Sequence, residues 1–169
     1  MKRNARKGFT LIEIIIVLVI LAIIAAASIP TMMGFIQDAR AKTLVTEARA
    51  TYVAASSIFS EYVASNSATP QQVKDGLDLG GRTSAATAIT GTTAEDRIAK
   101  RLIGMMSPDI VFGVPAQTNT LASAVFSIKE TASGSGVWLL EGVTYTKYVG
   151  GKPVTITLNP PAAAEVVFN

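Results

Sequence analysis

Hydrophobic positions fall into three regimes along this chain. From Phe9 to Ile36 they are nearly continuous, and no charged residue occurs between Glu13 and Asp38. Such a run is rich in Ile and Val, which are only fair helix formers in water, but in lipid the backbone must satisfy its own hydrogen bonds and helix is forced. Beyond Ile36 the apolar residues thin out to spacings of three and four: Val45, Ala48, Tyr52, Ala55, Phe59 and Tyr62. Asp38, Arg40, Lys42, Glu47, Arg49 and Glu61 fall mostly off that stripe, which predicts an amphipathic continuation of the same helix. Ser65-Asn66-Ser67 ends it, ahead of Pro70. From residue 121 the period becomes two, the signature of strands.

The middle of the chain is predicted to be loops and short helices. Thr69 caps and Pro70 opens a short helix that Gly80-Gly81 closes. Residues 82–92, rich in Ser, Thr and Ala, form a loop. A second short helix runs from Thr93 to Gly104, with Thr93 as N-cap, Glu95 and Asp96 at its positive end, and Ile98 and Leu102 on its buried edge. A short strand is expected at 110–114. Ala122–Ile128, Val137–Glu141, Val143–Val149 and Pro153–Leu158 read as four further strands, with Ser133-Gly134-Ser135-Gly136 and Gly150-Gly151 as turns. Glu165–Phe168 is an edge strand or a tail. The chain thus divides into a leader at 1–8, an apolar helical half at 9–36, an amphipathic half at 37–66, an αβ-loop region at 67–120, and an antiparallel sheet with its tail at 121–169. The fold class is α+β: a long helix laid on an antiparallel sheet, because the helix stripe and the apolar face of the sheet need each other.

Two features interrupt the first regime. Pro30 removes an amide donor and clashes one turn back, so the helix is expected to kink or locally loosen near Ala26 without necessarily ending there, with Gly34 a second weak point. Glu13 places a carboxylate at the head of a membrane-grade segment. Ionisable residues there are rare and usually functional; mid-span Asp, Lys or Arg costs about 2.5–3.5 kcal/mol on insertion scales. Something must compensate Glu13.

Charge and residue usage then narrow the function classes. The sequence pI of about 9.3 owes much to Lys2, Arg3, Arg6 and Lys7. Removing residues 1–8 leaves 11 of the 15 basic residues against 12 acidic ones, a formal charge of −1. No polybasic surface then remains to argue for nucleic acid. The chain has no cysteine and no histidine, so disulfides, thiolate metal sites and the usual general base are excluded. Lys129-Glu130, Asp75 with Asp78, and Glu95-Asp96 fit solvated loops or helix ends. Gly80-Gly81, Gly134-Ser135-Gly136 and Gly150-Gly151 lack the strand–loop–helix setting of a phosphate or dinucleotide site. No catalytic residue, cofactor or metal site is expected.

The stretch Gly8-Phe9-Thr10-Leu11-Ile12-Glu13, behind a basic leader and ahead of Ile14–Ile29 and Pro30, resembles the N-terminus of the type IV pilin superfamily: pilins and the pseudopilins of type II secretion and competence systems. The resemblance covers about the first third of the chain. It implies cleavage after Gly8 by a membrane-embedded prepilin peptidase, N-methylation of the new terminus at Phe9 by the same enzyme, and assembly into a helical filament by dedicated machinery. Glycine suits the cut because an absent side chain lets a protease approach an extended backbone. Cleavage creates an α-amine about one helical turn from Glu13. In the family, a neighbouring subunit's amine is thought to neutralise this glutamate, which gives Glu13 a register role in assembly. The resemblance also implies that the region around Pro30 loosens in the filament, and that the protein is a single-pass membrane protein before it becomes a surface pilus.

Absent cysteines set the chain apart from pilins that close their C-terminal region with a disulfide. The last thirty residues hold only Glu141 and Glu165, which does not fit the calcium cage of major pseudopilins and favours a pilin over a pseudopilin. Three other readings compete. A secretory signal could end near Ala25-Ala26-Ala27, releasing an enzyme that starts near Ser28, although Glu13 interrupts its apolar region. A plain single-span anchor explains the apolar run but gives Gly8, Phe9 and Glu13 no role. A membrane-tethered binding module would keep the anchor and use the domain to capture a ligand.

Overall fold

The computed structural model describes residues 8–79, 89, 91–106, 108–113, 115 and 121–168. Leader residues 1–7, Gly80-Gly81, most of the 82–92 loop and Val114 lie outside them. One helix, α1, spans Leu11–Ala64, 54 residues. Its helical backbone continues through Pro30 and Gly34, so neither residue ends it. The chain divides into two compact units, Met1–Arg40 and Ala41–Asn169. In the first unit every described side chain from Gly8 to Arg40 is exposed. The second unit contains the core.

In that second unit α1 buries Leu44, Ala48, Ala55, Ile58 and Phe59, together with Thr51. The seam is rotated from the predicted stripe: Val45, Tyr52 and Tyr62 are only half-buried. Ala48, Ala55 and Phe59 of that stripe are buried, while Leu44, Thr51 and Ile58, each one position before a half-buried or buried stripe residue, complete the seam. Thr51 is tolerated there because its hydroxyl donates to the Glu47 carbonyl at 2.8 Å. Tyr52 stays at the margin and donates its hydroxyl to the Leu140 carbonyl at 2.9 Å.

Two short helices follow. Helix α2, Pro70–Leu77, starts with a full capping box between Thr69 and Gln72 and has Pro70 in its first turn. It stops at Asp78, before the glycine pair expected to end it. Helix α3, Ala94–Met106, has the Asp96 amide donating to Thr93 Oγ1 at 3.2 Å and runs two residues past Gly104. The two helices pack closely. A Cβ on Gly76 would come within 2.9 Å of the Glu95 carbonyl oxygen and the Ile98 Cβ.

The sheet is fully antiparallel in the order β1-β2-β3-β4: Ala122–Glu130, Trp138–Val149, Lys152–Leu158 and Glu165–Phe168. The predicted second and third strands, Val137–Glu141 and Val143–Val149, are one strand. Gly142 between them makes no turn. It sits where the β1–β2 register slips between Ser127 and Ile128, and a side chain there would strike the Leu158 carbonyl oxygen and the Asn159 side chain. Gly150 and Gly151 form the β2–β3 turn with φ of 62° and 81°. Glu165–Phe168 is an edge strand. The expected strand at 110–114 is a single parallel bridge between Phe112 and Ala122. It covers part of the β1 edge, and the neighbouring stretch is covered by Asp78 and Leu79: Leu79 donates its amide to the Ala124 carbonyl at 2.9 Å, and Asp78 Oδ1 accepts from the Phe126 amide at 2.6 Å. Asp78 is therefore a strand cap and not a solvated turn residue.

Helix α1 and the sheet are tied by one polar cluster. Tyr145 is fully buried on β2, and its hydroxyl donates to Glu47 Oε2 at 2.6 Å. Lys147 Nζ lies 3.2 Å and 3.0 Å from the two oxygens of the same carboxylate. Burial, then the hydrogen bond and charge of Glu47, push the Tyr145 hydroxyl well above its ordinary pKa. Glu47→Ala leaves a buried hydroxyl and a largely enclosed ammonium without their acceptor, and is expected to cost about 2–4 kcal/mol, read as a lower melting temperature of the full chain in detergent. The folded-state pKa of Tyr145 is raised, so its contribution is intact below the unfolded value of about 10 and is lost as pH rises above that. Stability measured against Tyr145→Phe should therefore converge toward the variant's only on the alkaline side; equal slopes for the two proteins above that pH would refute the assignment.

Candidate functional site

The N-terminal segment carries the features singled out in the sequence. Gly8, Phe9 and Thr10 precede the helix without regular structure and are exposed; Phe9 is 86% exposed. The Gly8–Phe9 peptide bond is thus accessible and outside the helix, the condition for a protease to draw the backbone into an extended conformation. Nothing lies within 4 Å of a Cβ placed on Gly8. Glycine at this position answers no need of the fold.

Thr10 is a residue whose part the sequence reading missed. Its amide donates to Glu13 Oε2 at 2.7 Å and its hydroxyl to the same oxygen at 2.8 Å, while the Glu13 amide donates back to Thr10 Oγ1 at 3.3 Å. This is a reciprocal capping box at the start of α1. The signal was present in the sequence as Thr10-x-x-Glu13. A charge at the head of an apolar run masks that signal. Within its own chain, Glu13 is compensated by two donors at the helix start, where the dipole also favours an anion.

Behind this cap the helix presents apolar side chains all round: Leu11, Ile12, Ile14–Leu21, Ile23, Ile24 and Ile29 are each between 45% and 78% exposed. The helix is long and apolar enough to cross a membrane. Ser28 donates its hydroxyl to the Ile24 carbonyl at 2.8 Å, which suits a polar residue to lipid. Pro30 lies in this helical backbone with no amide to offer the Ala26 carbonyl. The structure therefore brings Thr10 and Glu13 together next to Gly8 and Phe9, and places Pro30 nearly five turns beyond Glu13. Among the described residues, no group of three His, Cys, Asp or Glu side chains converges as a metal site would require.

If the box fixes where α1 begins, Thr10→Val should leave residues 11–14 exchanging their amide hydrogens faster in detergent micelles, whereas Thr10→Ser should not. Identical exchange in all three proteins would mean that the cap does not hold the helix start.

No solved structure matches the chain. Residues 3–29 match the family model described as the prokaryotic N-terminal methylation motif. That segment spans the basic leader, Gly8, Phe9, the Thr10–Glu13 cap and the exposed apolar helix, and it gives the chain the type IV pilin and pseudopilin signature.

Proposed function

We propose that this chain is a structural subunit of a type IV pilus, made as a prepilin. The coarser part of this reading, a pilin-like or pseudopilin precursor, is supported by the methylation motif itself, whose family is structural and not enzymatic. In the finer reading, prepilin peptidase cuts between Gly8 and Phe9 and methylates the Phe9 amine. The precursor waits in the membrane through α1. Assembly machinery then moves it into a filament on the cell surface, where identical apolar helices replace lipid around one another. The observation that carries this reading is the continuity of the motif with a helix whose apolar side chains no other described residue covers.

Within that reading Glu13 sets register. A subunit entering at the wrong stagger leaves its carboxylate without a cation in an apolar bundle. The Phe9 amine of a neighbour is the partner it seeks. Pro30 is the point where α1 yields as subunits pack, because the Ala26 carbonyl already lacks its helical donor. The low carboxylate content of the last thirty residues favours a pilin over a calcium-holding pseudopilin.

Two measurements test the reading. Mass spectrometry of the mature protein should show an N-terminus at methylated Phe9; one near Ser28 would indicate a secretory signal instead. Glu13→Ala should be cleaved and inserted normally yet yield few filaments, and wild-type filament yield from that variant would remove the register role.

A further inference from the structure

Within residues 41–169, a groove stands open between α1 and the end of α3. It has a volume of about 710 Å³. One wall is the outer side of α1, with Arg49, Ala50 and Val53; the other is the end of α3 and the turn after it, with Met105, Asp109 and Ile110. Val53 and Met105 are 65% and 52% exposed. Two methionines, Met105 and Met106, lie along the second wall, side chains that adapt to an incoming surface. Charges line both walls: Arg49 on the α1 wall and Asp109 on the far wall are exposed, while Glu47, also on the α1 wall, is already held by Tyr145 and Lys147.

The same chain carries a surface of matching form. On α1, Met32, Phe35, Ile36 and Ala39 recur at i, i+3, i+4 and i+7, so they share one helix face. Met32 and Phe35 are 65% and 74% exposed. At 3.6 residues per turn, Asp38 and Arg40 fall about 90–110° to opposite sides of that face. The segment is thus an apolar strip with an acid on one flank and a base on the other. The groove is an apolar trough with a base on one wall and an acid on the other.

We infer that this groove receives the Met32–Arg40 segment of α1 from a second copy of the chain, with Asp38 against Arg49 and Arg40 against Asp109. The inference rests on the filament reading and adds to it the surface of the folded domain that grips a neighbour. Apolar contact supplies adhesion, and the two crossed charge pairs fix which way the helix lies, since reversing its direction sets like charges together.

The natural absence of cysteine makes the test clean. Filaments sheared from cells making the full-length Ala39→Cys, Ala50→Cys double variant should give a ladder of disulfide-linked oligomers on oxidation, and neither single variant should. Arg49→Glu should lower filament yield at least about five-fold, the scale set by losing one exposed ion pair and gaining a like-charge contact, and Asp38→Lys combined with Arg49→Glu should restore it. Filaments that form normally but give no ladder, or a charge reversal without loss or without rescue, would overturn the groove assignment and leave the filament reading intact. If the wild-type chain forms no filament at all, the filament reading fails and the groove assignment fails with it.

Discussion

The constraint on which the molecule turns is an apolar surface that no other described residue covers. Residues 11–36 satisfy nearly all their backbone hydrogen bonding as a helix, which lets them leave water, yet their large apolar side chains stay exposed among the described residues. Each Ile, Leu or Val fully removed from water contributes about 1.5–3 kcal/mol. A surface of this kind therefore drives the segment into lipid or against other apolar helices, and the two environments offer similar solvation. Moving between them consequently costs little hydrophobic energy, and what decides between them is packing and polar pairing. That is why a single carboxylate at Glu13 and a single missing amide at Pro30 carry so much of the functional argument.

Both edges of the sheet are protected in the folded domain. One edge, β1, is covered twice, by Asp78-Leu79 and by the bridge at Phe112. The other edge, β4, is only four residues long. Short or covered edges are the usual protection against strand-to-strand aggregation. Glu47 joins this picture from the helix side. Its carboxylate holds both Tyr145 and Lys147 of β2, which locks the amphipathic half of α1 on the sheet, and Tyr52 adds a bond to the Leu140 carbonyl.

Much of this was legible in the sequence because it depends on local rules. The apolar run, the Thr69-Pro70 start, the Thr93 cap, the Gly150-Gly151 turn and the inward set Val154, Ile156 and Leu158 follow from spacing and turn chemistry alone. The errors share another origin: each depended on a neighbour distant in sequence. Gly142 reads as a turn until Leu158 and Asn159 come to lie against it. Asp78 reads as a solvated helix end until the β1 edge offers the Phe126 amide. The buried seam of α1 takes in Leu44, Thr51 and Ile58 beside the predicted Ala48, Ala55 and Phe59, a rotation that the spacing along the helix does not reveal. Thr10 is the exception, a local signal passed over because charge drew attention away from capping.

The cap also bears on how Glu13 could serve two purposes. Both donors from Thr10 converge on Oε2, and among the described residues Oε1 has no hydrogen bond to it. A carboxylate has room for about four donors over its two oxygens. A neighbouring amine at Oε1 would therefore not displace the cap, and the helix start would stay in place while the charge is neutralised. In the proposed filament, register selection at Glu13 would then not compete with folding of α1. The acid would stay fixed by its own chain on one side and be presented on the other, so a wrongly staggered neighbour would lose an ion pair without any helix having to unwind to make a correct one.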